Sequence, residues 1–327
     1  MSDAVDLSRD EATDLCIGAA MRAGASAATA RSLARASVAA EAEGKPNVGL
    51  AHFVDYLNAI ESGRIDGRAV PSITCPAPAM IHSDARAGAA HPGFDMAFER
   101  LVAMAREIGV ALFAQRNSYT CGALGYFTER LAGEGLAALA ATNGPALMAG
   151  AGGTAPVFCT NPLAFSVPVA SGRPLTIDQA SSATAFVNIR KAAAEARSIP
   201  EGWAVDESGR PTTDPQAAMK GALLAFGGTR GANIALMVEV LAAGLAGANW
   251  SVDAPSFMSG NESPGTGMLV LAIQPSFLDP DFATRAAAYL DRLHAEFGIY
   301  IPGRTKAETA PPALLSIPRA LHERLAR

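Results

Sequence analysis

An apolar run, Val110 to Ala114, passes directly into Gln115-Arg116-Asn117-Ser118-Tyr119-Thr120-Cys121-Gly122 and then into a helix-like segment from Ala123 to Ala132. No other stretch constrains the fold as strongly. Five apolar residues closed by polar ones and a glycine read as a buried strand. A strand ending just before a helix start presents backbone N–H groups and short side chains to a ligand. Upstream, His91-Pro92-Gly93 reads as a turn, and Asp95 to Glu107 is amphipathic, with Met96, Phe98, Leu101, Val102 and Met104 on its apolar side. This helix-then-strand order makes the polar strand end the expected centre of the active site.

Size and charge set the outer limits. A chain of 327 residues should divide into two or three domains, because a single hydrophobic core stops growing well before that length. A net charge of −5 without a Lys/Arg cluster argues against a nucleic-acid partner. Cys16, Cys75, Cys121 and Cys159 are scattered, with no CxxC and no partnering His run, so neither a disulfide framework nor a metal site is expected. Ser2, Asp3, Asp6 and Arg9 do not form a secretory leader, and no stretch of about 18 apolar residues suggests a membrane span. A soluble cytoplasmic protein is the expectation.

Along the chain, Ser8 with Glu11 forms a capping-box signature, and Gly24 with Ser26 supplies a stop and a second N-cap, giving two helices over residues 8 to 42. After Gly44-Lys45-Pro46-Asn47, a helix from Val48 to Ser62 carries Leu50, Phe53, Val54, Leu57 and Ile60 on one buried stripe. Val48 and His52 lie one turn apart on the opposite face, facing either solvent or a cleft. Gly63 to Cys75 reads as a linker, with a domain boundary at Val70 to Pro76. Gly150, Gly152 and Gly153 do not spell GxGxxG, and Pro156 stands where a Rossmann unit needs a helix.

Further on, Leu175 to Asp178 reads as a strand ending on a carboxylate, suited to a ligand or a cap. Gly227-Gly228-Thr229-Arg230-Gly231 precedes an apolar helix and could cradle phosphate, although such a short motif is weakly specific. Glu239, inside that helix, is expected to be a satisfied structural contact. Pro255 to Gly267 is long enough for a lid. Pro280 to Phe297 reads as a helix.

Taken together, several segments resemble the malate/L-lactate dehydrogenase family of the non-Rossmann type, whose relatives include ureidoglycolate and sulfolactate dehydrogenases and piperideine/pyrroline-2-carboxylate reductases. The resemblance rests on Arg116-Asn117-Ser118 with Gly122, Thr160-Asn161-Pro162-Leu163-Ala164, Asp178 with Ser181 and Ser182, and Pro200-Glu201-Gly202-Trp203-Ala204-Val205-Asp206. Pro211-Thr212-Thr213-Asp214-Pro215 and Gly227-Gly228-x-x-Gly231 complete it. It implies an α/β, non-Rossmann nicotinamide-binding fold with a mainly antiparallel sheet and a helical domain built from both chain ends. Residues 1–75 with 280–327 would form the helical domain, and 76–279 the cofactor-binding and substrate domain. A homodimer using NADP or NAD is also implied, with hydride exchange at a 2-oxo or cyclic 2-imino acid. On the cofactor side the resemblance places Ser118, Asn143, Thr160, Asp178, Gln179, Ala180, Arg230, Gly303 and Arg304.

The departures bear on mechanism. Where the resemblance leads one to expect Ser-His-Gly and then Arg, this chain has Asn47-Val48-Gly49 and then His52, and Thr120 stands at the position of a second histidine. Valine transfers no proton, and histidine lacks arginine's two-pronged fork. Thr120 and His52 remain as catalytic candidates, with Lys45, Asn47, Val48 and Tyr119 on the substrate side. Reduction of a ketone needs a proton at oxygen, where general acid help is worth about 10²- to 10⁴-fold, whereas an iminium already carries its charge. A cyclic C=N substrate is therefore expected. The alternatives are a catalytically silent cofactor-binding or regulatory dimer and a 2-hydroxy acid dehydrogenase with a replaced proton donor.

Overall fold

The structure, a computed structural model, describes residues 4–303 and 313–327. The amino-terminal part holds β1 (Ala4–Leu7), α1 (Arg9–Arg22), α2 (Ala27–Ala42) and α3 (Leu50–Glu61). Next come β2 (Ser72–Ala77), β3 (Met80–Asp84), α4 (Ala90–Ile108), β4 (Val110–Ser118), α5 (Gly125–Gly133) and β5 (Ala137–Thr142). The middle continues with β6 (Met148–Ala149), β7 (Pro156–Phe158), β8 (Leu163–Val167), β9 (Leu175–Gln179), α6 (Phe186–Ala194) and β10 (Ala204–Val205). Then follow β11 (Pro211–Thr212), α7 (Pro215–Ala218), β12 (Ala222–Leu223) and α8 (Thr229–Glu239). The chain closes with β13 (Thr266–Ile273), α9 (Phe282–Phe297), β14 (Leu315–Pro318) and α10 (Arg319–Ala326).

Local signals in the sequence account for the helix starts. The Ser8 peptide N–H donates to Glu11 Oε2 at 2.8 Å, and the Glu11 N–H donates back to Ser8 Oγ at 3.2 Å, completing the capping box of α1. Ser26 Oγ likewise accepts from the Thr29 N–H at 3.2 Å to open α2. The His91-Pro92-Gly93 turn is corrected: these residues form the first turn of α4. Proline is tolerated there because the first N–H groups of a helix have no intrahelical acceptor. A side chain at Gly93 would run into Gln115 and Ser83, so glycine lets α4 sit close on the sheet. Gln115 fixes that approach, its Nε2 donating to Ala90 O at 2.9 Å while its Oε1 accepts from Ser83 Oγ at 3.0 Å.

The main sheet has seven strands in the order β2-β3-β4-β13-β5-β8-β9. Only β3 and β4 pair in parallel; its other pairs are antiparallel, the arrangement expected in place of a Rossmann sheet. Phe94 and Leu101 of α4 and Phe127 and Leu131 of α5 bury against Phe113 and Val270 of this sheet. A second core joins both chain ends. Leu33, Phe53 and Leu57 pack with Ile317 and Leu325, and β1 pairs antiparallel with β14. Helix α9 buries none of its residues and meets the body through segments such as Ala170, whose N–H donates to Ala283 O at 3.1 Å. A small sheet, β11-β10-β12-β6-β7, is backed by Ile189 of α6 and Ala235 of α8.

Register decides where a site can lie. Ala141 opposes Leu163, Leu163 opposes Gln179, Met268 opposes Thr142, and Thr266 opposes Ser118. The carboxyl ends of β4, β5 and β9 therefore share one edge of the sheet with the starts of β8 and β13. Among the described residues no helix is long and apolar enough to cross a membrane.

Candidate active site

At that sheet edge lies a cavity of about 480 Å³. Tyr119, Thr120, Cys121 and Gly122 line it from the end of β4, Thr142 and Asn143 from the end of β5, and Cys159, Thr160 and Ala180 from the neighbouring strand ends. Asn47, Val48, His52 and Asp55 close it from the α3 side, Phe186 and Arg190 from α6, and Phe257 and Met258 from the loop before β13. The expected centre at the β4 end is thus where the cavity sits, and both Val48, just before α3, and His52, in its first turn, line it.

His52 is fixed from two sides. Its Nδ1 lies 3.1 Å from Asp55 Oδ2, three residues on, and its ring meets the Tyr56 ring edge-on at 4.7 Å. Burial acts to raise the Asp55 carboxyl, but the His52 hydrogen bond and the charges of His52, Arg190 and Arg64 outweigh it and hold the group below its usual value. Arg64 lines the same wall, its Nη1 donating to Gly260 O at 3.0 Å, while its Nε is buried without a partner. The Tyr119 hydroxyl donates to Phe257 O at 3.1 Å, and burial raises its pKa.

Burial also pushes the Cys121 thiol up to about 12 and the Cys159 thiol up to about 11. Both stay protonated near neutrality, so neither supplies a thiolate nucleophile. Asn143 lines the cavity with its side chain already engaged. Its Nδ2 donates to Asn249 O at 2.9 Å and to Glu239 Oε1 at 3.4 Å, and its Oδ1 accepts from the Gly267 N–H at 2.8 Å. It shapes the wall more than it offers donors.

A second hollow of about 300 Å³ holds Lys45, Asp178, Gln179 and Gly303, together with Glu43, Glu129 and Arg173. Lys45 Nζ lies 3.1 Å from Glu43 Oε2, and Arg173 Nη2 lies 2.7 Å from Glu129 Oε1. Asp178 Oδ2 accepts from the Gly125 N–H at 2.8 Å and so caps α5, while burial raises its carboxyl pKa. The consecutive residues Gln179 and Ala180 serve the two hollows in turn.

Other candidates lie elsewhere. Ser118 is buried in the sheet, its Oγ 3.2 Å from Thr266 O and 3.1 Å from Thr266 Oγ1. Arg230 is exposed at the first turn of α8 and lines neither hollow. Arg304 falls outside the described residues. Sequence reasoning missed Asp55, Arg64 and Arg190. Asp55 carried a readable signal, an acidic residue at i+3 from His52, whereas Arg64 was hidden in a stretch that reads as linker.

The family model described as malate/L-lactate dehydrogenase matches residues 7–314. A (2R)-3-sulfolactate dehydrogenase (NADP(+)) of Chromohalobacter salexigens is 37% identical over 298 residues, 91% of this chain and 89% of that protein. A Delta(1)-pyrroline-2-carboxylate/Delta(1)-piperideine-2-carboxylate reductase of Pseudomonas putida is 37% identical over 288 residues, 87% of this chain and 84% of that protein. The crystal structure of delta1-piperideine-2-carboxylate reductase from Pseudomonas syringae pvar. tomato superposes with a TM-score of 0.93 at 34% identity, covering 98% of this chain and 99% of that one.

Proposed function

The chain belongs to the malate/L-lactate dehydrogenase family, and from that premise we propose that it transfers a hydride between NADP(H) or NAD(H) and C2 of a small 2-imino carboxylic acid, a cyclic C=N being preferred to a C=O. The observation that carries this reading is the pairing of opposite charges on one wall of the cavity. Asp55, held ionised, stands beside the cations of Arg64 and Arg190. A cyclic imino acid with a protonated nitrogen is a zwitterion and matches both signs, whereas a 2-oxo acid offers only the anion.

The acid–base groups point the same way. Val48 has no proton to give, and the Tyr119, Cys121 and Cys159 protons are held tightly by burial. An iminium reaches the site already charged and needs little from them. When bound, the reduced nicotinamide supplies the hydride. Thr120, Thr160 and the Ala180 peptide offer polar contacts for its ring, and Gly122 keeps the floor low, since a Cβ there would come within 2.8 Å of Tyr56 Oη. That the 37% identical sulfolactate dehydrogenase uses NADP(+) favours NADPH as the cofactor here. Exposed Leu236, Met237 and Val240 beside α8, and Tyr289 and Phe297 on α9, give apolar surface that a second copy would cover in a cytoplasmic homodimer.

One observation favours a second reading. The hydrogen bond of His52 to Asp55 would make the histidine a replacement proton donor for a 2-oxo acid, giving a 2-hydroxy acid dehydrogenase. Nicotinamide-fluorescence titration, followed by turnover of cyclic imino and 2-oxo acids, separates the two. We expect NADPH binding and a higher kcat/KM on the imino acid. In a His52→Ala variant the first reading leaves imine turnover nearly unchanged, whereas the second loses about 10²-fold in kcat on the 2-oxo acid. A chain that binds neither cofactor would sink both.

A further inference from the structure

We propose that Arg64 receives the substrate's carboxylate, an assignment that rests on the imino-acid reading above and names the anion site it requires. Four Lys and Arg cations line the two hollows, and their settings differ; Arg173 belongs to the second and is paired with Glu129 at 2.7 Å. Lys45 belongs to the second hollow and is paired with Glu43 at 3.1 Å. Arg190 lines the cavity from the exposed face of α6. Arg64 lines the cavity half-buried, with Nη1 anchored to Gly260 O at 3.0 Å and Nε buried without a partner.

A cavity-lining guanidinium gains a charge-assisted hydrogen bond from a carboxylate that reaches it. Anchoring of Nη1 to Gly260 fixes the group, so the part that lines the cavity is oriented before the ligand binds and little side-chain freedom remains to be lost. Reduced solvent contact also strengthens the attraction relative to that at Arg190.

The neighbours suit the rest of the molecule. In a 2-imino acid the carboxylate and the nitrogen share the C2 carbon, so an anion held at Arg64 brings the iminium N–H toward the Asp55–His52 pair on the same wall. Arg64 also bonds to Gly260, and Tyr119 to Phe257, so both tie the loop before β13 to the cavity wall. Phe257 and Met258 of that loop line the cavity.

The test compares Δ1-pyrroline-2-carboxylate with 1-pyrroline, the same ring without the carboxylate, using full-length wild type, Arg64→Gln and Arg64→Lys with NADPH. Wild type is expected to prefer the carboxylate. Arg64→Gln should raise its KM for the carboxylate about 10- to 100-fold, with kcat, 1-pyrroline turnover and the NADPH Kd near wild type. Arg64→Lys, which keeps the charge and loses the fork, should fall between. A wild-type KM in Arg64→Gln, or an equal loss on both rings, overturns the assignment alone. If Arg64→Gln is destabilised, Arg64→Lys decides: a raised carboxylate KM with an unshifted Tm supports the assignment, and a wild-type KM overturns it. A wild-type enzyme inactive on both rings overturns the imino-acid reading, and the assignment with it.

Discussion

Glu239 and Asp55 are both carboxylates among polar partners, and they differ in what is left over. Glu239, 5% exposed, accepts from Asn143 Nδ2 at 3.4 Å, Asn161 Nδ2 at 2.8 Å, the Ser251 N–H at 2.6 Å and Ser251 Oγ at 2.7 Å. Asp55 has His52 at 3.1 Å, and its side chain is 46% exposed at a cavity wall. In the first region the protein saturates the carboxylate, and the network ties the end of β5 to the start of β8, to α8 and to the Ser251 segment. In the second, acceptor capacity remains beside Arg64, which has an unpartnered N–H. Saturation marks a group that positions others, and leftover capacity at a cavity marks one that meets a ligand.

Removing the saturated carboxylate gives the largest expected effect. Glu239→Ala leaves the Ser251 and Asn161 donors buried without their acceptor, and each such group costs about 1–3 kcal/mol, so a loss of about 3–5 kcal/mol is expected. Urea unfolding measures it. A loss below about 1 kcal/mol would mean that water replaces the network easily, and the contrast with Asp55 would collapse.

His91 tests the intermediate case, a group as buried as Glu239 but with Nδ1 unpartnered. Burial, with smaller contributions from its neighbours, lowers its pKa from 6.5 to about 4. The folded state therefore holds the neutral ring where the unfolded chain binds a proton. Its contribution to stability is complete above pH 6.5 and is lost as pH falls toward 4, by up to about 3 kcal/mol. Denaturation of wild type and His91→Phe across that window should show a slope in the first that is absent from the second. Equal slopes would show that the ring finds a partner when charged.

Gly122 probes the cavity floor. Its φ of +66° is strained for any side chain, and a Cβ would sit 2.8 Å from Tyr56 Oη and 3.6 Å from His52 Cδ2. Gly122→Ala should lower kcat/KM about 10²-fold, since a shift of about 1 Å in the reacting geometry is enough for that loss. Steady-state kinetics with a parallel thermal melt would test it. Unchanged kinetics would remove Gly122 from the floor.

The same contrast explains what was legible in the sequence. The strand over 110–114 could be read because a buried strand is a local pattern, although β4 runs on through polar residues to Ser118, and the Ser8–Glu11 cap because both partners lie within one turn. The antiparallel sheet and the helical part built from both chain ends came from matched motifs, since pairing of residues such as Val5 with Ile317 leaves no local mark. His91-Pro92-Gly93 misled because proline and glycine mark turns, yet a first helical turn tolerates the one and close packing on Gln115 requires the other. At the site, His52 was legible from its helical face. Arg64 was not, because its role depends on Gly260, 196 residues away in sequence.

The smallest effect on stability is expected at Asp55, where the comparison is sharpest. Burial raises its carboxyl, but the His52 hydrogen bond with the His52, Arg190 and Arg64 charges wins, so the folded pKa lies below 3.8. A depressed carboxylate stabilises the fold above the unfolded value and loses that contribution as pH falls through the folded one. Because the side chain is 46% exposed, solvent screens the pair, and Asp55→Asn should cost less than about 1 kcal/mol at pH 7. The difference from wild type should vanish once pH drops below the folded value. Yet the variant loses the negative charge that faces an iminium, and its KM for a cyclic imino acid should rise about 10-fold. A small stability loss with a clear KM loss is the inverse of the Glu239 outcome. If Asp55→Asn instead unfolds as Glu239→Ala does and leaves KM unchanged, both carboxylates are structural, and the charge pairing on the cavity wall carries no substrate.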